Sequence, residues 1–253
     1  MDSITGFIIA CLIYGSANGF PNTQIVGGVD ALEGKYPYQV SLKYSWNEIH
    51  FCGGAIVSQK YVVTAAHCLV GLYNPSDVLI DAGSNGLHSA LRTTYKADAL
   101  IIHPDFNSRL YIHDIGLIKL TKDIAFTSRI KLIEIISYDK NFENHGLTVT
   151  GWGTLTWLGV IPERLQKIIV KGFSQKKCAE SYNNIYKEHL CTFQGIGQGM
   201  CNGDSGGALT YDNKLVGIVS YGRAPCASGY ADVFTRVFYY KSWINNYMNT
   251  SSN

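Results

Sequence analysis

Short apolar segments separated by turn residues recur along most of the chain. They are rich in Val, Ile, Leu and Tyr, have the length of strands, and are bounded by Gly, Asn, Asp or Ser. The segments span residues 38–43, 54–57, 61–64, 78–82, 115–120, 147–151, 168–170, 214–220 and 233–237. This pattern is typical of an all-β sandwich or barrel.

The end of the chain has a different period. Apolar residues recur there at steps of three and four, which is the spacing of one helix face. They are Val237, Tyr240, Trp243, Ile244, Tyr247 and Met248. Because Lys241, Ser242 and several Asn fill the other positions, the pattern predicts a packing helix over residues 237–248 rather than a membrane helix.

Length and composition fit one large β domain or two small ones. A chain of 253 residues that is 46% hydrophobic and 16% charged can bury a substantial core, which argues against disorder. Its 21 basic and 19 acidic residues leave a net charge of +2. Because no basic run would follow a phosphate backbone, we expect no nucleic-acid partner.

The first residues resemble an export signal. Residues 6–14 (GFIIACLIY) are apolar, too short to span a bilayer, and followed by small residues, Gly15 and Ala17, that suit cleavage. The leading MDSIT departs from the usual signal because it contains Asp2 and no Lys or Arg. We predict a signal peptide over 1–17 and a secreted, extracellular protein without a membrane partner; the alternative is a buried strand.

Cysteine usage agrees with export. Cys11 lies in the predicted signal, and six cysteines follow it, an even number that suits three disulfides in an oxidising compartment. The sequence alone leaves their pairing open. The chain has no C-x-x-C or H-E-x-x-H motif, so a zinc site is not expected.

Residues 203–207, G-D-S-G-G, form either a tight turn or the exposed nucleophile of a hydrolase. A neutral serine needs a base within hydrogen-bond reach and a third group that orients the base. His67 is the candidate base, because it ends an apolar run beside Cys68, which Cys52 could pair with and so anchor the imidazole. We interpret the other six histidines as partly exposed surface or loop residues.

Three motifs in this order, T-A-A-H-C (64–68), D-I-G-L-I-K-L (114–120) and G-D-S-G-G, resemble those of the chymotrypsin-like serine peptidases. I-V-G-G at 25–28 and G-W-G at 151–153 strengthen the likeness, which runs from about residue 25 to residue 248. In its details the sequence resembles arthropod chymotrypsins. The resemblance implies two packed six-stranded antiparallel β-barrels, roughly 25–130 and 131–236, followed by a C-terminal α-helix. The active site would lie in the cleft between the barrels.

The resemblance also implies the chemistry of a secreted serine endopeptidase. His67 would be the general base and acid, Asp114 the orienting carboxylate, and Ser205 the nucleophile that forms an acyl-enzyme. The backbone N–H groups of Gly203 and Ser205 would form the oxyanion hole. The alternative is a catalytically silent homologue with a binding or regulatory role, although such proteins commonly lose a triad member.

In this family, cleavage before the I-V-G-G segment frees an α-ammonium that pairs with the acid preceding the nucleophile. Here that pair would be Ile25 and Asp204, after removal of a propeptide at 18–24. The sequence departs from the usual pattern because the bond is Gln24-Ile25, without a Lys or Arg before it. A trypsin-like activator is therefore a poor candidate.

Substrate preference in the family depends mainly on one pocket. Its floor would be Gly199 beside Met200, one wall would be Gly222, and Ser220 to Gly222, with Tyr221 between them, would pair with the substrate backbone. Asp232 would occupy the other wall. That carboxylate either faces the pocket and attracts Lys or Arg, or is screened by Met200. We expect screening, and cleavage after Phe, Tyr, Leu or Met.

The remaining expectations concern disulfides, ions and partners. The resemblance pairs Cys52 with Cys68, Cys178 with Cys191, and Cys201 with Cys226. Residues 84–96 contain no Asp or Glu, so we expect no calcium site there, and no metal or other cofactor elsewhere. Expected partners are protein or peptide substrates and protein inhibitors of serine proteases, and we expect a monomer.

Overall fold

The computed structural model describes residues 25–250 of the chain. The predicted signal peptide (1–17) and propeptide (18–24) lie outside the described residues. Among the described residues, no helix is long and apolar enough to cross a membrane.

Six of the first seven strands close into a barrel. After the short β1 (Val29–Asp30), they are β2 (Gln39–Tyr44), β3 (His50–Ile56), β4 (Tyr61–Thr64), β5 (Val78–Ala82), β6 (Thr93–Ile102) and β7 (Gly116–Leu120). They follow one another around the barrel as β2-β3-β4-β7-β6-β5, and pairing of β2 with β5 closes it. β4 is buried along its whole length because its Y-V-V-T sequence has no polar face to expose.

The second barrel contains the remaining long strands. They are preceded by the short β8 (Glu134–Ile135) and comprise β9 (Gly146–Gly151), β10 (Gln166–Phe173), β11 (His189–Phe193), β12 (Ala208–Tyr211), β13 (Lys214–Tyr221) and β14 (Asp232–Arg236). The order β9-β10-β11-β14-β13-β12 closes where Leu209 pairs with Val149. The two six-stranded antiparallel barrels predicted from the resemblance are confirmed; the added β8 pairs with β13 in parallel.

In the part of the chain that the structure describes, three α-helices accompany the strands: α1 (Ala66–Leu69), α2 (Gln175–Ser181) and α3 (Lys241–Thr250). The Ser174 side chain caps α2 by accepting a hydrogen bond from the Lys177 amide. The terminal helical segment begins with a 3₁₀ turn, Val237–Tyr240, and then continues as α3.

The first and last segments of residues 25–250 pack against opposite barrels. Ile25 is fully buried in the core of the second barrel, and β1 pairs with β10 of that barrel. Val237, Tyr240 and Ile244 from the last segment are buried in the core of the first barrel. The segments at the two ends of the described residues therefore link the two barrels.

Candidate active site

His67 and Asp114 come from the first barrel and meet at the cleft. α1 presents His67 directly after β4, and Asp114 precedes β7, which pairs with β4. The Asp114 side chain is fully buried, whereas that of His67 is 23% exposed. Asp114 Oδ1 accepts a hydrogen bond from the His67 backbone N–H at 2.9 Å, and Oδ2 lies 2.8 Å from Nδ1 of the ring. Because an ionised carboxylate only accepts, Nδ1 carries the proton and Nε2 is left free to accept one.

The second barrel supplies further donors to Asp114. The Ser220 hydroxyl donates to Oδ2 at 2.6 Å, and the Thr235 hydroxyl donates to the Asp114 backbone carbonyl at 2.6 Å. Three hydrogen bonds to the carboxylate offset the cost of removing it from water. Ser220, predicted to pair with substrate backbone, thus also holds Asp114; the sequence does not reveal this contact because the two residues lie 106 positions apart.

The turn that carries Ser205 is fixed by backbone contacts. Gly203 has a φ of +97° and Gly206 a φ of +75°, conformations that L side chains rarely adopt. A Cβ on Gly206 would lie 2.1 Å from Thr64 Oγ1 and 2.6 Å from the Gly53 carbonyl oxygen. The Gly53 amide donates to the Ser205 carbonyl at 2.7 Å, so both barrels hold this turn.

His50 was wrongly interpreted as a partly exposed residue, since it is 4% exposed. Its Nε2 lies 2.9 Å from the Gly203 carbonyl oxygen, and its Nδ1 lies 2.8 Å from Ser41 Oγ. Because a carbonyl only accepts, Nε2 must donate, and Nδ1 accepts from the Ser41 hydroxyl. Burial lowers the pKa of His50 to about 4, so the ring is neutral near pH 7 and braces the peptide after Gly203.

The interpretation of His189 as a partly exposed residue is also wrong, since it is 1% exposed. Its Nε2 donates to the Tyr111 carbonyl at 3.0 Å, and its Nδ1 accepts from the Tyr186 amide at 3.2 Å. Burial lowers its pKa. The Tyr111 ring in turn lies edge-on to His67 with centroids 5.7 Å apart, so His189 supports one wall of the site.

Asp204 is buried beside the G-W-G segment. Its Oδ1 accepts from the Gly153 amide at 2.8 Å and its Oδ2 from the Cys201 amide at 3.0 Å. Burial raises the pKa of the carboxyl to about 6, against the lowering effect of these two amides. A Cβ on either Gly151 or Gly153 would lie 2.2 Å from an Asp204 carboxylate oxygen, which explains both glycines of the motif.

The I-V-G-G segment runs beside the residues that lead to Asp204. Ile25 shares the second-barrel core with Met200, and the Val26 carbonyl accepts from the Gly199 amide at 3.0 Å. The two residues of the predicted activation pair are therefore both buried and belong to adjacent segments.

A cavity of about 250 Å³ opens next to Ser205. The predicted residues Met200, Ser220, Tyr221, Gly222 and Asp232 line it together with His67 and Ser205, and Tyr111, Trp157 and Arg223 also line it. These last three residues were not found from the sequence, because no motif distinguishes them. Arg223 is held over the ring of Tyr230 at 4.5 Å.

Asp232 crosses the base of this cavity. Its Oδ2 accepts from the Met200 amide at 2.9 Å and lies 2.6 Å from the position of a Cβ on Gly199. Its Oδ1 lies 3.0 Å from a Cβ position on Gly222. The space at the expected glycine floor is therefore occupied by this carboxylate. Burial raises its pKa to about 7, while the Met200 amide acts in the opposite direction.

Three disulfides brace these segments: Cys52–Cys68, Cys178–Cys191 and Cys201–Cys226, the pairing implied by the resemblance. Cys52–Cys68 joins β3 to α1, which carries His67. Cys201–Cys226 joins the two sides of the cavity beside Ser205.

The sequence model of the trypsin family matches residues 25–244. The chain belongs to the trypsin family. This trypsin-family chain is 43% identical over 220 residues to chymotrypsin-2 of Vespa crabro, covering 87% of this chain and 98% of that protein. It is 34% identical to brachyurin of Leptuca pugilator, covering 87% and 96%. It is also 34% identical to trypsin-1 of Astacus astacus, covering 87% and 98%.

Among solved structures, the trypsin-family fold matches neuropsin, a serine protease expressed in the limbic system of mouse brain. The TM-score is 0.81 at 30% identity, and the match covers 87% of this chain and 98% of neuropsin. The protein is a chymotrypsin-like serine endopeptidase of this family, as the sequence motifs predict.

Proposed function

We propose that the protein is a secreted endopeptidase in which Ser205 attacks the peptide carbonyl. The Ser205 Oγ–C bond forms as the hydroxyl proton passes to His67 Nε2. His67 then donates this proton to the leaving amine as the C–N bond breaks. Water deacylates the serine in the same way. The observation that carries this proposal is the pair of hydrogen bonds from His67 to buried Asp114, in a cavity that His67 shares with Ser205.

The amides of Gly203 and Ser205 are assigned to the oxyanion. The positive φ of Gly203 and the anchoring of its carbonyl by neutral His50 support this assignment. Fixed amides stabilise developing negative charge without reorganising during the reaction, and one such donor typically contributes about 3 kcal/mol.

The activity is tested with protein cleaved at Gln24-Ile25 and an unstructured protein substrate. Wild type should hydrolyse it, Ser205→Ala should not, and Ser137→Ala, an exposed serine outside the site, should match wild type. Hydrolysis by Ser205→Ala would contradict the assigned nucleophile. Lack of hydrolysis by the wild type would favour the catalytically silent homologue.

The activation switch is part of the proposal. A free ammonium on Ile25 would supply Asp204 with a cation that its two amide donors cannot replace, because burying a carboxylate without one is costly. Amino-terminal sequencing of the secreted protein tests this switch together with the predicted signal and propeptide. A mature protein that begins anywhere other than Ile25 overturns it.

We assign the protein a preference for Phe, Tyr, Leu or Met before the cleaved bond. The similarity to chymotrypsin-2 supports this preference, as do the cavity's Met200 and Gly222. The Met200 amide satisfies one oxygen of Asp232, and a pKa raised to about 7 leaves that carboxyl largely protonated at pH 6. Faster cleavage after Arg or Lys than after Phe or Tyr would overturn the assignment. A monomeric state and protein inhibitors as partners stay predictions.

A further inference from the structure

A second cavity, of about 550 Å³, also opens at His67 and Ser205. Its wall is formed by β3, the end of β2, and the segment after α1. Apart from His67 and Ser205, it is lined mainly by Tyr44, Trp46, Phe51, Val70, Leu72 and the Cys52–Cys68 disulfide. We call it the aromatic groove. Its lining contains no Lys, Arg, Asp or Glu, so it suits an uncharged, apolar occupant.

Three rings form a column along this groove. Tyr44 stacks on Phe51 with centroids 4.3 Å apart and planes at 20°, and Trp46 stacks on Tyr44 at 4.5 Å and 25°. Phe51 packs against the first-barrel core, whereas Trp46 is 64% exposed. The column therefore begins at the core and ends in an indole that is open to an incoming ring.

The backbone holds this column in place. The β2–β3 register pairs Leu42 with Cys52 and Lys43 with His50, so Phe51 is the extra residue of a β-bulge. Bulges beside active sites redirect a side chain. Trp46 lies in the connecting turn, where the Ser45 amide donates to the Asp77 carbonyl at 2.9 Å and the Glu48 amide to the Tyr44 carbonyl at 2.9 Å. Little conformational freedom is lost when a ligand stacks on a ring that is already positioned.

The position of the cleaved bond between the two cavities determines which half of a substrate enters this groove. The two cavities share His67 and Ser205 and diverge from them. In the proposed function, the residue before the cleaved bond enters the cavity with Asp232, and its backbone pairs at Ser220 to Gly222. The segment that leaves with the amine then extends into the other cavity, the aromatic groove.

We propose that the aromatic groove is a subsite for an aromatic side chain within the first three residues after the cleaved bond, and that Trp46 determines this preference. The inference rests on the proposed function and adds a second specificity to it. Offset ring stacking adds to the effect of apolar burial, and the size of aromatic-pair energies corresponds to roughly a three- to tenfold effect on kcat/KM.

The test uses protein cleaved at Gln24-Ile25 and peptides that differ in one residue. The acyl half is constant, and Phe or Ala is placed in turn at each of three positions after the bond. A peptide methyl ester with the same acyl half serves as reference, because its leaving methanol is too small to reach Trp46. Wild type should prefer Phe over Ala at one or more positions by roughly three- to tenfold.

Variants separate stacking from a general loss of fold. Trp46→Ala should remove the Phe-over-Ala preference, and because this preference is a ratio within one protein, any change that the substitution causes in the catalytic step cancels. Trp46→Phe should keep most of the preference, and Tyr138→Ala, an exposed aromatic outside the groove, should match wild type. The proposal is overturned if wild type shows no preference, or if Trp46→Ala keeps it. If the wild type does not hydrolyse the ester, the proposed function itself fails, and the subsite with it.

Discussion

Asp114 holds His67 at two points, through the backbone amide at 2.9 Å and through ring Nδ1 at 2.8 Å. The amide contact fixes the position of the His67 backbone, and the ring contact fixes the tautomer and orientation of the imidazole. Because Ser220 from the second barrel binds the same carboxylate, the orientation of the proposed base depends on how the two barrels pack.

Asp114→Asn should therefore abolish most activity without unfolding the protein. An amide at this position can present an N–H to Nδ1, which favours the wrong imidazole tautomer. We expect kcat to fall by about 10⁴-fold, the size this substitution has in serine proteases with the same triad. Peptide hydrolysis measures the loss, and an unchanged circular dichroism spectrum excludes misfolding. A decrease in kcat of less than about tenfold would show that a group other than Asp114 sets the imidazole tautomer.

Asp232 should make selectivity before the cleaved bond depend on pH. Its pKa of about 7 means that the carboxyl is mostly neutral at pH 6 and mostly ionised at pH 8. The ratio of kcat/KM for an Arg substrate to that for a Phe substrate should rise between these values, on the order of tenfold. Any pH effect on the catalytic step that is common to both substrates cancels in the ratio. The ratio should be flat for Asp232→Asn, and a flat wild-type ratio would contradict the assigned ionisation.

Asp204 should make the uncleaved chain less stable as pH rises. Its folded pKa of about 6 lies above the ordinary 3.8, so between these values the folded state keeps a proton that the unfolded state has released. The free energy of unfolding should fall by roughly 2 kcal/mol from pH 4 to 6, relative to Asp204→Asn. Urea unfolding with intact disulfides measures the difference. An equal fall in both proteins would mean that other groups cause it.

Cleavage at Gln24-Ile25 should reduce this loss. The new Ile25 ammonium favours the ionised carboxylate and so lowers the folded pKa of Asp204 from its raised value. The same urea titration on the cleaved protein provides the comparison. A pH dependence identical to that of the uncleaved chain would argue against the Ile25–Asp204 pair.

Gly206→Ala should destabilise the protein severely. The added Cβ would lie 2.1 Å from Thr64 Oγ1 and 2.6 Å from the Gly53 carbonyl, in a backbone with a φ of +75°. Gly195→Ala is the matched control, because Gly195 also has a positive φ of +99° but has no atom within 4 Å of its Cβ position. The control should cost about 1 to 2 kcal/mol, and the Gly206 variant should cost more than about 4 kcal/mol. Equal costs would mean that the turn can move away from Thr64.

The sequence predicted the barrel class and several strands, but it missed those that lack an apolar run. β6 alternates charged and apolar residues, with Lys96 and Asp98 facing outward, so its strand signal is weaker than that of Y-V-V-T in β4. Helix α2 begins with Q-K-K around a buried Cys178, a segment too short to show a helical period. Its position depends on tertiary contacts and the disulfide to Cys191.

The candidate site was predictable where a residue lies in a short motif and not where the contact joins distant segments. His67, Asp114 and Ser205 each lie in a short sequence motif that is typical of the family. The burial of His50 depends on contacts with Ser41 and with Gly203, which is 153 positions away. Likewise, the sequence placed Asp232 near the pocket, but only the folded chain shows it lying between Gly199 and Gly222.

The activation of Ser205 by His67 is measured most directly by the rate of covalent labelling with a fluorophosphonate on protein cleaved at Gln24-Ile25. Mass spectrometry should place the adduct on Ser205, and His67→Ala should slow labelling by at least about a hundredfold. An adduct elsewhere, no adduct, or equal rates for wild type and His67→Ala would contradict it.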